Sequence, residues 1–214
     1  MQTVAVIDYG MSNLRSVAKA LEFAAEGRSR IVVSGRPEVV LEADRVVFPG
    51  QGAIGTCMRN LRDQALVEAV SEAICAKPFL GICLGLQSLM EASDEDGGQQ
   101  GLGVLRGRVV RFPRMLTDAR GARLKVPHMG WNQVAQVKPH PLWSGIAPGA
   151  YFYFVHSYYV RPRDEGVIAG TTEYGVNFVS AVARDNYFAT QFHPEKSAKT
   201  GITLLRNFLA WGGG

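Results

Sequence analysis

The run Gly81-Ile82-Cys83-Leu84-Gly85 sets a cysteine between an apolar stretch ending at Ile82 and a helix-like stretch, 84–92. This is the strand–nucleophile–helix pattern of a nucleophile elbow, with a thiol in place of a serine hydroxyl. So sharp a turn needs glycine two residues before and two after the nucleophile, where a side chain would clash. It delivers the sulfur to a helix N-terminus, whose free N–H groups and positive dipole end favour thiolate over thiol. Such a nucleophile needs a base, and the base needs an orienting group. Among the four histidines, His193 has the right setting, in Gln191-Phe192-His193-Pro194-Glu195-Lys196-Ser197, just past a strand. Glu195 lies two residues on, so in extended geometry both side chains reach the same side. The carboxylate then accepts from one imidazole nitrogen and leaves the other to face the thiol. His140, between Pro139 and Pro141, reads as a surface residue. His128 and His156, in apolar or aromatic segments, read as packing or hydrogen-bonding groups.

A second glycine pattern, Gly50-Gln51-Gly52-Ala53-Ile54-Gly55, matches the dinucleotide fingerprint GxGxxG. It follows the third strand-like segment rather than the first, and Pro49 precedes it. No acid ends a strand ~20 residues on, where a ribose hydroxyl would be gripped. Glu68 and Glu72 fall in a helix pattern instead. The alternative is a loop that offers backbone N–H groups to a developing oxyanion.

The elements that must position these groups alternate. Strand-like runs at 3–7, 30–33, 45–48 and 78–82 are separated by helical patterns, one carrying Leu14, Val17, Ala18, Leu21 and Ala25 behind a Ser12 or Asn13 N-cap, another spanning 57–76. That rhythm predicts a parallel sheet with helices on both faces. After Gly97-Gly98, strands are expected at 104–112, 132–137, 151–160, 167–172, 178–183 and 187–191, with a hairpin turn at Arg184-Asp185-Asn186 and a last helix at 200–211. The expectation is one three-layer α/β domain over 1–214, its central sheet mostly parallel, with an antiparallel portion in the second half.

At 47% hydrophobic and 20% charged residues, the composition is that of a globular chain. No apolar run reaches ~18 residues, and the N-terminus reads as a first strand rather than a signal peptide. Cys57, Cys75 and Cys83 are odd in number and lack metal-ligand spacing. Reduced thiols in the cytoplasm are expected, with no metal or cofactor and with Cys57 and Cys75 packing in helices. The net charge of +4 does not imply nucleic acid. Its one concentration, Arg106 to Lys125, reads as a solvated face or as a surface for an acidic partner.

Taken together, Gly81-Ile82-Cys83-Leu84-Gly85-Leu86-Gln87, Pro49-Gly50-Gln51-Gly52-Ala53 and His193-Pro194-Glu195 resemble the three signatures of class I, triad-type glutamine amidotransferases. Four further stretches resemble the glutaminase subunits of imidazole glycerol phosphate synthases: the run from Asp8 to Val17, Pro127-His128-Met129-Gly130-Trp131-Asn132, Tyr153-Phe154-Val155-His156-Ser157-Tyr158-Tyr159 and Phe192 to Ser197. The resemblance covers nearly the whole chain; Ser12 departs from it, where these proteins usually carry glycine.

It implies a flavodoxin-like fold and hydrolysis of glutamine to glutamate and ammonia. The ammonia would pass to a separate (β/α)8-barrel cyclase making imidazole glycerol phosphate and an aminoimidazole carboxamide ribonucleotide for histidine synthesis. The triad is then Cys83, His193 and Glu195, with the N–H groups of Leu84 and Gly52 as the oxyanion hole. Gln87, Glu95, Ser157 and Tyr158 are implied to hold the glutamine amine and carboxylate, and Asn13, Arg15, Trp131 and Lys196 to face the partner. Gln51-Gly52 is the expected gate that keeps the glutaminase silent until the partner is loaded. A glutaminase of another synthase, a non-catalytic subunit of the same fold, and a cysteine peptidase are the alternatives.

Overall fold

Apolar runs without polar alternation build the strands of the first half, because a parallel sheet is buried on both faces. The computed structural model describes residues 1–10 and 14–214; Ser12 and Asn13 lie outside the described residues. In chain order the elements are β1 (Gln2–Ile7), α1 (Leu14–Ala25), β2 (Ser29–Ser34), α2 (Pro37–Glu42), β3 (Arg45–Gly50), α3 (Ile54–Asp63), α4 (Leu66–Ala76), β4 (Phe79–Cys83) and α5 (Leu84–Gln87). There follow β5 (Met90–Ser93), β6 (Gln99–Gln100), β7 (Leu105–Arg111), β8 (His128–Gln133), β9 (Ala135–Gln136), β10 (Tyr151–His156), β11 (Tyr158–Pro162), β12 (Ile168–Glu173), β13 (Asn177–Arg184), β14 (Tyr187–Thr190) and α6 (Ala198–Ala210).

Strands β2-β1-β3-β4-β14 lie side by side and parallel. Beyond β14 the sheet continues through β13, β11 and β7 by antiparallel pairs. Strand β5 then joins β7 in parallel and β6 closes that edge. The pair β8–β10 forms a small separate sheet. The three layers follow from strand alternation. Along β3, Val47 packs with Val17, Leu21, Leu204 and Phe208 of α1 and α6. Its neighbours Val46 and Phe48 pack with Leu61, Leu66 and Val70 of α3 and α4. No helix among the described residues is long and apolar enough to cross a membrane.

Several expected boundaries are corrected. The helix over 57–76 is two helices, hinged at Ala65 in the left-handed region (φ 54). Buried positions 54, 57, 58 and 61 are followed by 66, 69, 70 and 73, a one-residue slip that one unbroken helix cannot absorb. The helix over 84–92 stops at Gln87, and Met90–Ser93 instead pairs with β7. Leu84, Leu86, Leu89 and Met90 are all buried, and an apolar run buried on every side has no periodicity to separate helix from strand. The strand over 151–160 breaks at Ser157, where the chain leaves the small sheet for the main one. The strand over 132–137 is β8, which starts at His128, and the two-residue β9. Helix α2 was not expected, although Pro37 at its first turn and Glu38 behind it are start signals.

Candidate active site

Three neighbouring strands end together. Gly50 of β3 lies opposite Cys83 of β4, and Thr190 of β14 opposite Ile82. The loop after β3, the cysteine and the segment after β14 therefore meet at the carboxyl edge of the sheet, the usual place for a site in such folds. Cys83 adopts φ 55, ψ −102, outside the regions an L-residue prefers, so backbone strain is concentrated on the nucleophile candidate. Gly85 is required by close approach: a Cβ there would run into the carbonyl oxygen of Phe48. Gly52 has φ +95, which favours glycine in the loop facing Cys83. Helix α5 starts at Leu84 as expected, but with four residues it carries little of the anticipated macrodipole.

The imidazole Nδ1 of His193 lies 2.8 Å from Glu195 Oε1, with side chains only 4% and 2% exposed. The contact is made across a single 3-10 turn, Pro194–Lys196, rather than along extended chain; the proline favours that turn. Ser197 fixes this turn to β10. Its Oγ donates to the His193 carbonyl (2.6 Å) and accepts from the Tyr153 N–H (3.0 Å). The His193 N–H donates to the Tyr153 carbonyl at 2.9 Å. The other ring nitrogen, Nε2, is buried and is left for the Cys83 sulfur. Burial works to lower the His193 pKa, but the charge of the Cys83 sulfur and the Glu195 carboxylate outweigh it and push the value up to about 10. The site thus favours imidazolium, the counter-ion a thiolate needs.

A cavity of about 320 Å³ opens on Cys83 and is lined by Gln51, Gly52, Leu84, Gln87, Glu95, Pro127, Val155, His156, Ser157 and Tyr158. Both expected oxyanion residues and all four expected substrate residues are on its wall. Its size suits a small ligand. Glu95 Oε2 accepts from the Ile54 N–H at 2.9 Å, capping α3, and burial raises its carboxyl above the ordinary value despite that bond. The Gln87 amide donates to the Tyr158 carbonyl and to Gln191 Oε1, both at 3.0 Å. Sequence reasoning gave Gln191 no role. It is fully buried, and its Nε2 donates to Cys83 Sγ at 3.5 Å. The available signal was an amide at the end of an apolar strand, two residues before His193.

The other histidines are structural. His128 Nδ1 meets His156 Nε2 at 3.0 Å, and His156 Nδ1 donates to the Tyr158 carbonyl at 2.8 Å. Burial lowers their pKa values to about 4 and about 3, which keeps them neutral. His140 is half-buried rather than freely exposed: it packs on Phe188 and Trp211 and accepts from the Leu142 N–H. Cys57 is buried as expected, but Cys75 is exposed because it falls on the outer face of α4.

Of the residues expected to face a partner, Asn13 lies outside the described residues. Trp131 is 52% exposed and meets Tyr153 edge-on, while the Lys196 ammonium stands 6.0 Å from the same ring. Arg15 is exposed near the start of α1, which packs against the 194–196 turn. In the basic stretch, Arg108 pairs with Asp94. Arg111, Arg114, Arg123 and Lys125 line a separate cavity of about 890 Å³.

Comparison with known proteins identifies the family and the fold. The family model described as glutamine amidotransferase class-I matches residues 5–211. The imidazole glycerol phosphate synthase subunit HisH of Aromatoleum aromaticum is 58% identical over 212 residues, covering 99% of each chain. That of Dechloromonas aromatica is 59% identical, covering 98% of this chain and 97% of the relative. Among solved structures, a glutamine amidotransferase from Thermotoga maritima superposes with TM-score 0.67 at 17% identity, covering 97% of this chain and 96% of that one. The glutaminase domain of Trypanosoma brucei CTPS gives 0.62 at 16% identity, covering 98% and 94%. With a matching family model over nearly its full length and a shared fold, the chain belongs to the class-I glutamine amidotransferases.

Proposed function

We propose that this chain is the glutaminase subunit of an imidazole glycerol phosphate synthase, working in the cytoplasm with a barrel cyclase subunit. The observation that carries the chemistry is the strained Cys83 on the wall of a small cavity, with a raised-pKa His193 held by Glu195. The observation that favours this synthase over others is the identity of 58–59% to HisH subunits along the whole chain.

In this reading the Cys83 thiolate attacks the side-chain amide carbon of glutamine. The carbonyl oxygen becomes an oxyanion held by the N–H groups of Leu84 and Gly52; losing one such donor costs ~10²–10³ in rate. The His193 imidazolium gives its Nε2 proton to the departing nitrogen, releasing ammonia and leaving a glutamyl thioester. The neutral imidazole then takes a proton from water as it attacks the thioester; glutamate leaves and the thiolate returns. Glu195 holds the ring and stabilises its charge. Gln87 spends both amide hydrogens within the protein, so it offers the substrate its Oε1 as an acceptor for the amine. Glu95 supplies a further negative partner for that amine, and the Ser157–Tyr158 segment borders the substrate carboxylate. Gly52, already at positive φ, is the point where the Gln51-Gly52 peptide turns when the partner is loaded.

The test is to incubate the chain with an electrophilic glutamine analogue and map the modified cysteine. The expected outcome is an adduct on Cys83, blocked by glutamine, with Cys57 and the exposed Cys75 unmodified. Glutamate release that continues after Cys83 is fully labelled would contradict the reading.

A further inference from the structure

We infer that Gln191 is a hydrogen-bond donor to the reacting sulfur that favours the thiolate form of Cys83, and that Gln87 fixes its orientation. An amide side chain can present either its oxygen or its nitrogen to a neighbour, and the contacts decide which. Gln87 Nε2 donates to Gln191 Oε1 at 3.0 Å, so the Gln191 carbonyl end is taken. Its NH₂ end is turned to Cys83 Sγ, 3.5 Å away. A neutral thiol accepts such a bond weakly, whereas a thiolate accepts it strongly, so the contact discriminates between the two forms. The backbone holds the side chain there: the Gln191 N–H donates to the Ser180 carbonyl at 2.9 Å, and the residue is fully buried. Because Gln191 and His193 are two positions apart, the segment after β14 brings two groups to one sulfur, an amide that donates and an imidazolium that balances charge. With α5 only four residues long, the amide supplies part of what a longer helix would give. Gln87 lines the substrate cavity, so a ligand on its free oxygen polarises the Gln87–Gln191–Cys83 chain in the direction that strengthens the last bond.

The inference rests on Cys83 being the nucleophile, and the test separates the two. The rate of Cys83 alkylation by iodoacetamide is followed from pH 5 to 10 by mass spectrometry of its peptide, in the native chain, in Gln191→Leu and in the near-isosteric Gln191→Glu. Neither variant donates a fixed N–H, and melting curves show which are folded. The midpoint of the alkylation profile is expected to rise by about one to two pH units in each, the worth of a hydrogen bond to a charged group. Below the midpoint this is a fall of about tenfold or more in rate. A folded variant with an unchanged midpoint overturns the role of Gln191. A Cys83 that resists alkylation at every pH in the native chain overturns the nucleophile assignment itself.

Discussion

At the scale of single residues, the proposed chemistry depends on the buried His193 and its neighbours. Glu195 works through His193, so Glu195→Gln keeps the volume but loses the charge and the fixed tautomer. Glutamate release should fall by about 10² or more, with the melting temperature little changed and labelling of Cys83 slower. The sign of the pH dependence follows from His193. Its folded pKa, about 10, lies above the ordinary imidazole value of ~6.5. The stability it contributes is therefore complete below ~6.5 and drains away as pH rises towards 10. Cys83→Ala removes the strongest raising influence, so its melting temperature should decline less between pH 7 and 10 than that of the native chain. An identical decline would mean that the pair is not ionic. The turn at Cys83 and the His193–Glu195 contact were legible because each is a local pattern. Gln191 was not, because its partners Cys83 and Gln87 come from β4 and α5, over a hundred residues away.

At the scale of elements, strand alternation was readable and phase slips were not. The strands of the first half, α1 and α6 all lie near their expected places, since long periodic runs carry their own signal. The break at Ala65 and the stop at Gln87 depend on what the neighbouring layers bury, which no local window contains. Ala65 is exposed and left-handed, so Ala65→Gly should relieve strain and raise stability by up to about 1 kcal/mol, read as a higher denaturant midpoint. A lower midpoint would show that the hinge is not strained. Glu95 joins two elements, capping α3 while facing the cavity. Glu95→Gln retains an acceptor for the Ile54 N–H but loses the charge. It should raise KM for glutamine about tenfold with an almost native melting temperature. Glu95→Ala should in addition lose about 1 kcal/mol of stability, the usual cost of a missing cap. Equal KM values in Glu95→Gln and the native chain would remove Glu95 from substrate binding.

At the scale of the whole molecule, the proposed base and one residue of the proposed docking face lie on the same segment. Residues 193–197 carry His193 and Glu195, and Lys196 lies 6.0 Å from the ring of Tyr153, which meets the exposed Trp131 edge-on. In the proposed function, a partner seated on Trp131 would press on the turn that holds His193. The α/β class and the antiparallel second half followed from the order of apolar runs. The small β8–β10 sheet did not, because its separation from the main sheet is decided at Ser157 by tertiary pairing. The measurement that bears most directly on the account is glutamate release from glutamine by this chain alone, with a barrel cyclase, and with that cyclase plus its ribonucleotide substrate. The expected result is a near-silent chain alone, a large rise only when both are present, and loss of that rise in Gly52→Val while partner binding persists. Release that is equally fast with and without the loaded cyclase would contradict it.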